Sequence, residues 1–296
     1  MTIALIGVDW GTSNLRAWAF DGEGAVVATC KQGAGISAVR DGNYAAVLRH
    51  LVDGWTDGSV PILLGGMIGS RQGWHEAPYL ACPAAPSGLA ARALRFDTGF
   101  GPGWIVPGVS CVDTSGGHDV MRGEEVQLLG AGVRDGTVIL PGTHSKWVGM
   151  EDGAICRFRT FMTGEIFALL RTHSLLGRLM EDGPGDPGAF DRGVERAFAD
   201  PALTALLFSV RTEGLFGHIE PHGLADYLSG LLIGAELAAA DRAASTTIIG
   251  EGALVERYVR AMARAGFPPP QVVAGDEAAA AGLWRIGHDI VQGACL

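Results

Sequence analysis

The sequence has few cysteines, and their arrangement builds neither a metal site nor a disulfide framework. The five among 296 residues are Cys30, Cys82, Cys111, Cys156 and Cys295, and no two form a CxxC pair. An odd and scattered set gives no support to a disulfide scaffold or a thiolate zinc site. This pattern is typical of a reducing compartment, so we expect a cytoplasmic protein.

Basic clusters and long hydrophobic runs are also missing. The formal net charge is −10 and the pI is near 5.2, whereas binding to nucleic acid or an anionic membrane needs a basic face. The most apolar internal run, "LSGLLIGAELAAA", is interrupted by Glu236 and is too short to span a bilayer. The first residues, "MTIALIGVDW", have no basic flank, which indicates a buried strand and not a signal peptide. We therefore predict neither a nucleic-acid nor a membrane partner.

A common nucleotide-binding signature is absent as well. GxxxxGK[ST] does not occur, which disfavours a Walker-type NTPase. The one GxGxxG match, "GPGDPG" (183–188), contains two prolines and follows no predicted strand, which disfavours a Rossmann dehydrogenase. The chain has 48% apolar and 18% charged residues with a mean hydropathy of +0.23, as is typical of a well-packed globular protein. Its length allows two domains with substantial cores or one large domain.

One short pattern occurs twice in the chain. The stretches "VDWGTSNLRAWAFDG" (8–22) and "LPGTHSKWVGMEDG" (140–153) each contain Gly-Thr and Asp-Gly pairs with eight residues between them. Only the first copy places an aspartate, Asp9, two residues before the glycine of Gly-Thr; the second has Leu140 there. We expect the same local structure in both copies, with a carboxylate in the first alone.

The residues around both copies alternate as in β-strands and predict two three-stranded meanders. The predicted meander strands are 2–9, 15–20, 25–30, 137–141, 146–150 and 154–160. Further predicted strands are 60–64, 246–249 and 271–274. The predicted helices are 43–54, 119–131, 163–172, 188–199, 201–209, 223–243, 253–265 and 276–289. This order predicts a mixed α/β fold with two related domains.

Each Gly-Thr turn is a candidate phosphate site. In the first, Gly11 lets the backbone approach a ligand, and the next three residues, Thr12, Ser13 and Asn14, offer N–H and O–H donors to phosphate oxygens. Asp9 is a candidate to hold Mg²⁺ through water, because hard cations prefer carboxylate oxygen and keep several waters. The second turn repeats the frame without the carboxylate, and its candidate groups are Gly142, Thr143, His144 and Lys146.

A third element is a strand followed by Gly250-Glu251-Gly252 and a helix, a candidate seat for a nucleoside. In order along the chain, the two turns, the helix between them and this Gly-x-Gly resemble the actin/hexokinase/Hsp70 ATPase superfamily. Five blocks together resemble the 2-keto-3-deoxygalactonate kinase family over nearly the whole chain. They are "DWGTSNLRAW", "GGMIGSRQGWHEAPYL", "VMRGEEVQLLGA", "LPGTHSKWV" and "FRTFMTGEI".

The resemblance implies a fold and an activity. The fold would be two actin-like, ribonuclease H-like domains, which we expect at 1–116 and 117–296, with a nucleotide cleft between them. The activity would be phosphorylation of the 6-hydroxyl of 2-keto-3-deoxy-D-galactonate in galactonate catabolism, with ATP and Mg²⁺ as cofactors.

A kinase of this kind needs a general base for the substrate hydroxyl. The segment "MRGEE" supplies Glu124 and Glu125 and is similar to the "SGxEEA" segment of exopolyphosphatases, in which a glutamate is assigned as the base. Consecutive helical side chains point about 100° apart, so one of the pair is expected to face the site. Glu124 is the candidate, and Glu125 and Asp9 remain alternatives.

The carboxylate of a 2-keto acid is expected to bind a bidentate arginine. Four candidates lie in or beside the matching blocks: Arg16, Arg71, Arg122 and Arg159. Arg16 follows the first turn closely enough to bind phosphate instead. Arg71 shares a Gly-rich loop with Trp74, which places both on the expected substrate side.

Two other functions fit parts of the pattern. An exopolyphosphatase-like phosphohydrolase would use "GEE" to position water, but a long polyanion needs a basic channel, and the chain carries −10. An actin-like nucleotide switch without a small-molecule acceptor predicts long insertions or an appended domain, which 296 residues do not accommodate. The expected partners are therefore ATP, the sugar acid and, for assembly, a second copy in a homodimer.

Overall fold

The computed structural model describes residues 2–240 and 245–293. Its strands are β1 (Leu5–Trp10), β2 (Leu15–Phe20), β3 (Val26–Gln32), β4 (Ile62–Gly65), β5 (Tyr79–Ala81), β6 (Leu94–Asp97), β7 (Pro102–Ile105), β8 (Gly108–Val112), β9 (His118–Met121), β10 (Gly136–Leu140), β11 (Ser145–Glu151), β12 (Ala154–Phe161), β13 (Thr246–Ile249) and β14 (Gln271–Val273). Its α-helices are α1 (Tyr44–Leu51), α2 (Pro86–Ala91), α3 (Glu124–Ala131), α4 (Thr163–His173), α5 (Pro187–Ala199), α6 (Leu203–Leu207), α7 (Ser209–Leu215), α8 (Leu224–Ala238), α9 (Gly252–Arg264) and α10 (Gly275–Val291).

Two of the sheets repeat one strand order. The first is β3-β2-β1-β4-β7-β6 and the second is β12-β11-β10-β13-β14. In each, the three strands of a meander are followed by a later strand, and the pairs β1–β4 and β10–β13 are parallel. A further sheet has the order β5-β8-β9. The repeated order confirms the α/β class with two related meander-based parts.

The two Asp-Gly turns occupy matching positions but differ in geometry. Asp152 and Gly153 have φ values of 51° and 78°, as in the two-residue turn that suits the right-handed twist of a hairpin. In the first meander, Asp21 Oδ1 instead accepts the backbone N–H groups of Glu23 and Ala25 at 3.0 and 2.9 Å. The first turn is therefore held by the side chain of its aspartate as well as by backbone hydrogen bonds.

The chain divides into two compact units. Unit 1 comprises Met1–Asp135, Val148–Phe158 and Val273–Leu296, and unit 2 comprises Gly136–Trp147 and Arg159–Val272. The chain passes between them within β11 and β12. This division differs from the expected boundary between residues 116 and 117, since α3 and the C-terminal helix α10 both belong to unit 1.

Helices α3 and α10 pack backbone to backbone. A Cβ on Gly130 would lie 1.7 Å from the carbonyl oxygen of Ala278, and one on Gly282 would lie 1.9 Å from that of Val126. Such distances leave no space for a side chain at either glycine. This contact holds the C-terminal helix α10 against α3 within unit 1.

The predicted helix over 119–131 is wrong in its first part. Residues His118–Met121 form β9, and Gly123 has a φ of 111°, which L side chains rarely adopt. The helix begins only at Glu124, so the two glutamates lie in its first turn.

Each unit has its own buried apolar core. In unit 1 it includes Ile6, Trp10 and Leu64, and in unit 2 one cluster includes Ile139 and Ile248. Within the described ranges, no helix is long and apolar enough to cross a membrane. Four cysteines in those ranges are free; Cys295 and the end of the predicted helix 223–243 lie outside the described residues.

Candidate active site

The first Gly-Thr turn, turn 1 (residues 11–14), rests on the segment that follows β3. The backbone N–H groups of residues 35–37 donate to carbonyl oxygens of residues 11–13 over 3.0–3.2 Å. A Cβ on Gly35 would lie 2.2 Å from the carbonyl oxygen of Thr12. The inward carbonyl groups of turn 1 are thus occupied, while Thr12, Ser13 and Asn14 stay exposed.

The second Gly-Thr turn, turn 2 (residues 142–144), rests on the start of α4. The backbone N–H of Glu165 donates to the carbonyl oxygen of Thr143 at 3.0 Å, and a Cβ on Gly164 would lie 2.5 Å from the carbonyl oxygen of Gly142. His144 Nε2 lies 2.5 Å from Glu165 Oε2. The helix dipole alone would favour an acid in the first turn of α4. Glu165 lies in that turn and is also a partner of turn 2.

The internal repeat extends to these supports, which the sequence patterns did not reveal. Gly35 lies three residues beyond the last residue of β3, Gln32, and Gly164 lies three residues beyond that of β12, Phe161. Each glycine lets a backbone segment approach its turn closely. A glycine at the same distance from the third strand of each meander is the sequence signal that would have predicted these two supporting segments.

Gly11 and Gly142 are not required to be glycine by the fold itself. The nearest atom to a Cβ on Gly11 would be the carbonyl oxygen of Asn14 at 3.5 Å, and on Gly142 that of His144 at 4.0 Å. Neither residue is among those with positive φ. Open space at both positions fits a site where a ligand approaches the backbone.

Alanine at either turn glycine should therefore impair nucleotide use without unfolding the protein. We expect Gly11→Ala and Gly142→Ala to change stability by less than about 0.5 kcal/mol, as for substitutions that create no clash. The KM for ATP should rise at least about tenfold, because a 1 Å misplacement of a reactant can cost roughly 10²-fold. Gly22→Ala, in a hairpin with open space around it, is the matched control. Unchanged KM values in both turn variants would contradict phosphate binding by the turns.

A chain of ion pairs surrounds Asp9 in unit 1. Asp9, Arg16 and Lys31 are neighbours on β1, β2 and β3. Arg16 pairs with both Asp9 and Asp276, and Lys31 also pairs with Asp276, which lies at the start of α10. Burial raises the pKa of Asp9, and the Arg16 charge opposes that rise. The structure therefore engages Arg16, a predicted substrate or phosphate residue, with two carboxylates.

The two carboxylate oxygens of Asp9 have different surroundings. Its Oδ2 pairs with Arg16, whereas a Cβ on Gly66 would lie 3.0 Å from its Oδ1, so this oxygen faces a glycine backbone. In residues 2–240 and 245–293, no three His, Cys, Asp or Glu side chains are grouped to hold a metal ion. A single carboxylate oxygen fits Mg²⁺, which keeps several waters and binds substrate phosphates.

The structure separates the two glutamates at the start of α3. Glu125 is fully buried; its Oε2 accepts the N–H of Gly123 at 2.7 Å, and its Oε1 has no hydrogen-bond partner within the described chain. Burial and the neighbouring Glu124 raise the pKa of Glu125 to about 8. Glu124 is partly exposed, and its Oε2 accepts the N–H of Arg122 at 3.1 Å. Glu124 is thus the one of the pair that a ligand can reach.

Arg122 is buried close to these glutamates. Its guanidinium lies 4.4 Å from the ring centroid of Tyr79, and its Nη2 donates to the carbonyl oxygen of Ala77 at 2.8 Å. Its Nε and Nη1 have no hydrogen-bond partner among the described residues. Buried polar groups are seldom left unpaired, so this cation has unused capacity for an anion.

The Gly-rich loop places Arg71 and Trp74 in different surroundings. Arg71 is 86% exposed and its Nε lies 3.4 Å from Glu76 Oε1. The ring of Trp74 packs against those of Tyr44 and Phe96, with centroids 6.2 and 5.0 Å away. Trp74 therefore packs against the core of unit 1, and its place on the substrate side stays a prediction.

Two further predicted residues lie on the strands of the second meander. Lys146 is buried, and its Nζ donates to Thr160 Oγ1 at 2.7 Å. Arg159 is exposed and its guanidinium lies 5.0 Å from the ring centroid of Phe161. Both side chains therefore contact other residues of unit 2. No feature of the turn pattern indicated these contacts.

A cavity of about 250 Å³ in unit 2 borders turn 2. Its walls come from turn 2, α4, α8 and the start of α9, and they include Gly142, Gly164, Ala253, Leu254 and Tyr258. The φ values of Gly250 and Gly252 are 151° and 71°, which only glycine adopts readily. The predicted Gly-x-Gly thus shapes the loop that leads into a wall of this cavity.

Comparison with known proteins connects these features to one family. The family model described as 2-keto-3-deoxy-galactonokinase matches residues 9–286. The 2-dehydro-3-deoxygalactonokinase of Escherichia coli (strain K12) is 38% identical over 299 residues, which cover 99% of this chain and 100% of that protein.

Solved structures agree with this result. A crystal structure from Sinorhizobium meliloti, of a protein assigned as a 2-dehydro-3-deoxygalactonokinase, is 36% identical with a TM-score of 0.89, covering 97% of this chain and 99% of that one. Component A of the (R)-2-hydroxyglutaryl-CoA dehydratase of Acidaminococcus fermentans is 10% identical with a TM-score of 0.52, covering 98% and 100%; it shows similarity of fold alone. The resemblance carried by the five sequence blocks is confirmed, and the chain belongs to the 2-keto-3-deoxy-galactonokinase family.

Proposed function

We propose that this protein transfers the γ-phosphoryl group of ATP to the 6-hydroxyl of 2-keto-3-deoxy-D-galactonate. The observation that carries the proposal is the match to a 2-dehydro-3-deoxygalactonokinase, which covers 99% of this chain and all of the relative. Two exposed, supported turns and an accessible acid are the parts that such a reaction needs. The free cysteines of the described ranges are in keeping with a cytoplasmic site for this reaction.

The nucleotide would be held by backbone groups and by the cavity of unit 2. The nucleoside would enter the cavity beside Ala253 and Leu254, and turn 2 would donate to phosphate oxygens. Turn 1 would donate to phosphate oxygens from unit 1, and Asp9 would hold Mg²⁺ through water. When bound, Mg²⁺ offsets the negative charge of the phosphate oxygens.

The chemical step needs a proton acceptor and a fixed acceptor hydroxyl. Glu124 would accept the proton of the 6-hydroxyl while the hydroxyl oxygen forms a bond to the γ-phosphorus. The bond from that phosphorus to the bridging oxygen of ADP breaks in the same step. Among the four candidate arginines, Arg122 would bind the substrate carboxylate, because it lies beside Glu124 in the chain and its Nε and Nη1 have no partner among the described residues. Both nitrogens are buried, so binding would require the side chain to move and expose them. Arg16 would instead hold the carboxylate of Asp9, with which it forms an ion pair.

The first test is acceptor-dependent ADP release by the purified protein. We expect Mg-ATP to be turned over quickly only when 2-keto-3-deoxy-galactonate is present, and more slowly with its gluconate epimer. Equal ADP release without an acceptor would contradict the kinase and favour the phosphohydrolase or the switch protein. Phosphate transfer to the 6-position is checked by NMR of the product.

A further inference from the structure

A buried carboxyl group in unit 2 binds four side chains behind the nucleotide cavity. Glu236, on α8, is 2% exposed. Its Oε1 accepts hydrogen bonds from Ser145 Oγ and Trp147 Nε1, both at 2.6 Å. Its Oε2 accepts from Thr163 Oγ1 at 2.5 Å and from Tyr258 OH at 2.8 Å.

Three of the four donors, Ser145, Thr163 and Tyr258, adjoin or line the proposed nucleotide site, and the fourth, Trp147, lies on β11. Ser145 follows the exposed residues of turn 2 directly, and Thr163 precedes Gly164, on which turn 2 rests. Thr163 and Tyr258 themselves line the cavity. Glu236 therefore connects turn 2, the start of α4 and α9 to one point on α8.

An acid is a costly choice for this position if packing alone were needed. Removing a carboxyl group from water is unfavourable unless hydrogen bonds compensate for it, and well-packed apolar residues often replace buried charged groups without loss of stability. Glu236 is also the acid that interrupts the apolar run "LSGLLIGAELAAA". The four hydrogen bonds of Glu236 fix the orientations of the donor side chains, whereas apolar contacts are not directional.

We infer that Glu236 is a positioning residue for ATP, which sets turn 2 and the α4 and α9 walls of the cavity in the arrangement that binds the nucleotide. This inference rests on the proposed function, since it assigns Glu236 to the nucleotide side of that reaction. Glu236 acts through turn 2 and the cavity walls, because its buried carboxyl group is occupied by the four donors.

Leucine and glutamine at position 236 separate hydrogen bonding from size. Glu236→Leu removes all four bonds, and we expect the KM for ATP to rise roughly 10–100-fold, since displacements near 1 Å cost about 10²-fold. The KM for the sugar acid should change less than about twofold, because the altered bonds lie at the nucleotide site. Glu236→Gln should restore most of the ATP affinity. Its amide oxygen can accept from Ser145 and Trp147, and its amide nitrogen can donate to the hydroxyl oxygens of Thr163 and Tyr258.

Two tyrosine variants keep the test independent of folding at position 236. Tyr258→Phe removes one of the four donors. Tyr227→Phe is its matched control, because Tyr227 is also buried in unit 2, belongs to a different apolar cluster from Tyr258, and its OH lies 2.9 Å from Ser209 Oγ. We expect the KM for ATP to rise in Tyr258→Phe and to stay unchanged in Tyr227→Phe.

The results distinguish this inference from the proposed function. If the unmodified protein transfers no phosphate to a sugar acid, the proposed function fails before any variant is measured. If it is active, and Glu236→Leu and Tyr258→Phe keep its KM for ATP, the positioning role is wrong. Equal increases in both KM values, or equal effects of the two tyrosine variants, would also overturn it in favour of a purely structural role.

Discussion

Replacing Glu124 with glutamine should lower kcat by about 10²–10⁴-fold, the usual contribution of a general base. Glutamine keeps the size of the side chain and can still accept the N–H of Arg122, which Glu124 Oε2 accepts at 3.1 Å. It cannot take a proton from the substrate hydroxyl. Stability and the KM for ATP should therefore remain close to those of the unmodified protein, and steady-state kinetics with thermal unfolding would check all three quantities.

The neighbouring Glu125 provides the matched control. Because Glu125 is fully buried, Glu125→Gln should keep kcat within about tenfold of the unmodified protein, well below the loss expected for a base. A larger loss in Glu125→Gln than in Glu124→Gln would transfer the base role to Glu125. Losses below tenfold in both variants would exclude both glutamates.

Glu125 should also leave a signature in the pH dependence of stability. Burial and Glu124 raise its pKa from 4.5 to about 8 in the folded protein. Between these values the folded state keeps a proton that the unfolded chain has released, so the free energy of unfolding falls as pH rises through this window. In Glu125→Gln this part of the fall should disappear, which urea unfolding at pH 5 and pH 8 would detect.

The repeated meanders could be predicted because their signals are local. Strand alternation and turn residues act within a stretch of about ten residues. Because the Gly-Thr and Asp-Gly pairs occur in both copies, the strand assignment in one copy supports the strand assignment in the other. The helix predicted over 119–131 failed at its start because Val120 and Met121 fit both periodicities. Gly123, with its φ of 111°, is the residue that separates strand from helix there.

The parts of the site that were missed depend on contacts between distant residues. Asp276 pairs with Arg16 across 260 positions, and Glu236 accepts from Ser145 across 91. Spacing along the chain carries no information about such pairs, because they form only when helices pack on the sheets. Lys146 was predicted at turn 2 from its position in the repeat, but strand alternation directs its side chain to Thr160.

The largest effect on the nucleotide site without any change of polar groups should come from Gly164→Ala. A Cβ there would lie 2.5 Å from the carbonyl oxygen of Gly142 and 2.8 Å from the Cα of Thr143. Both are backbone atoms, which cannot rotate away, so turn 2 has to move off α4. We expect the KM for ATP to rise by roughly 10²-fold, the cost of a displacement near 1 Å, and the KM for the sugar acid to stay the same.

Gly188→Ala is the control that removes the effect of helix propensity. Gly164 and Gly188 are each the second residue of a helix, α4 and α5, so alanine changes the helix propensity of the two first turns by a similar amount. At Gly188 the nearest atom to the new Cβ would be Asp186 Oδ1 at 3.3 Å, an oxygen at the end of a side chain. Normal ATP kinetics in Gly164→Ala would mean that turn 2 does not depend on its contact with α4, and a loss in both variants would assign the effect to the helices. A loss in Gly164→Ala alone would establish that the phosphate site depends on the glycine beside turn 2, and would predict the same result for Gly35→Ala at turn 1.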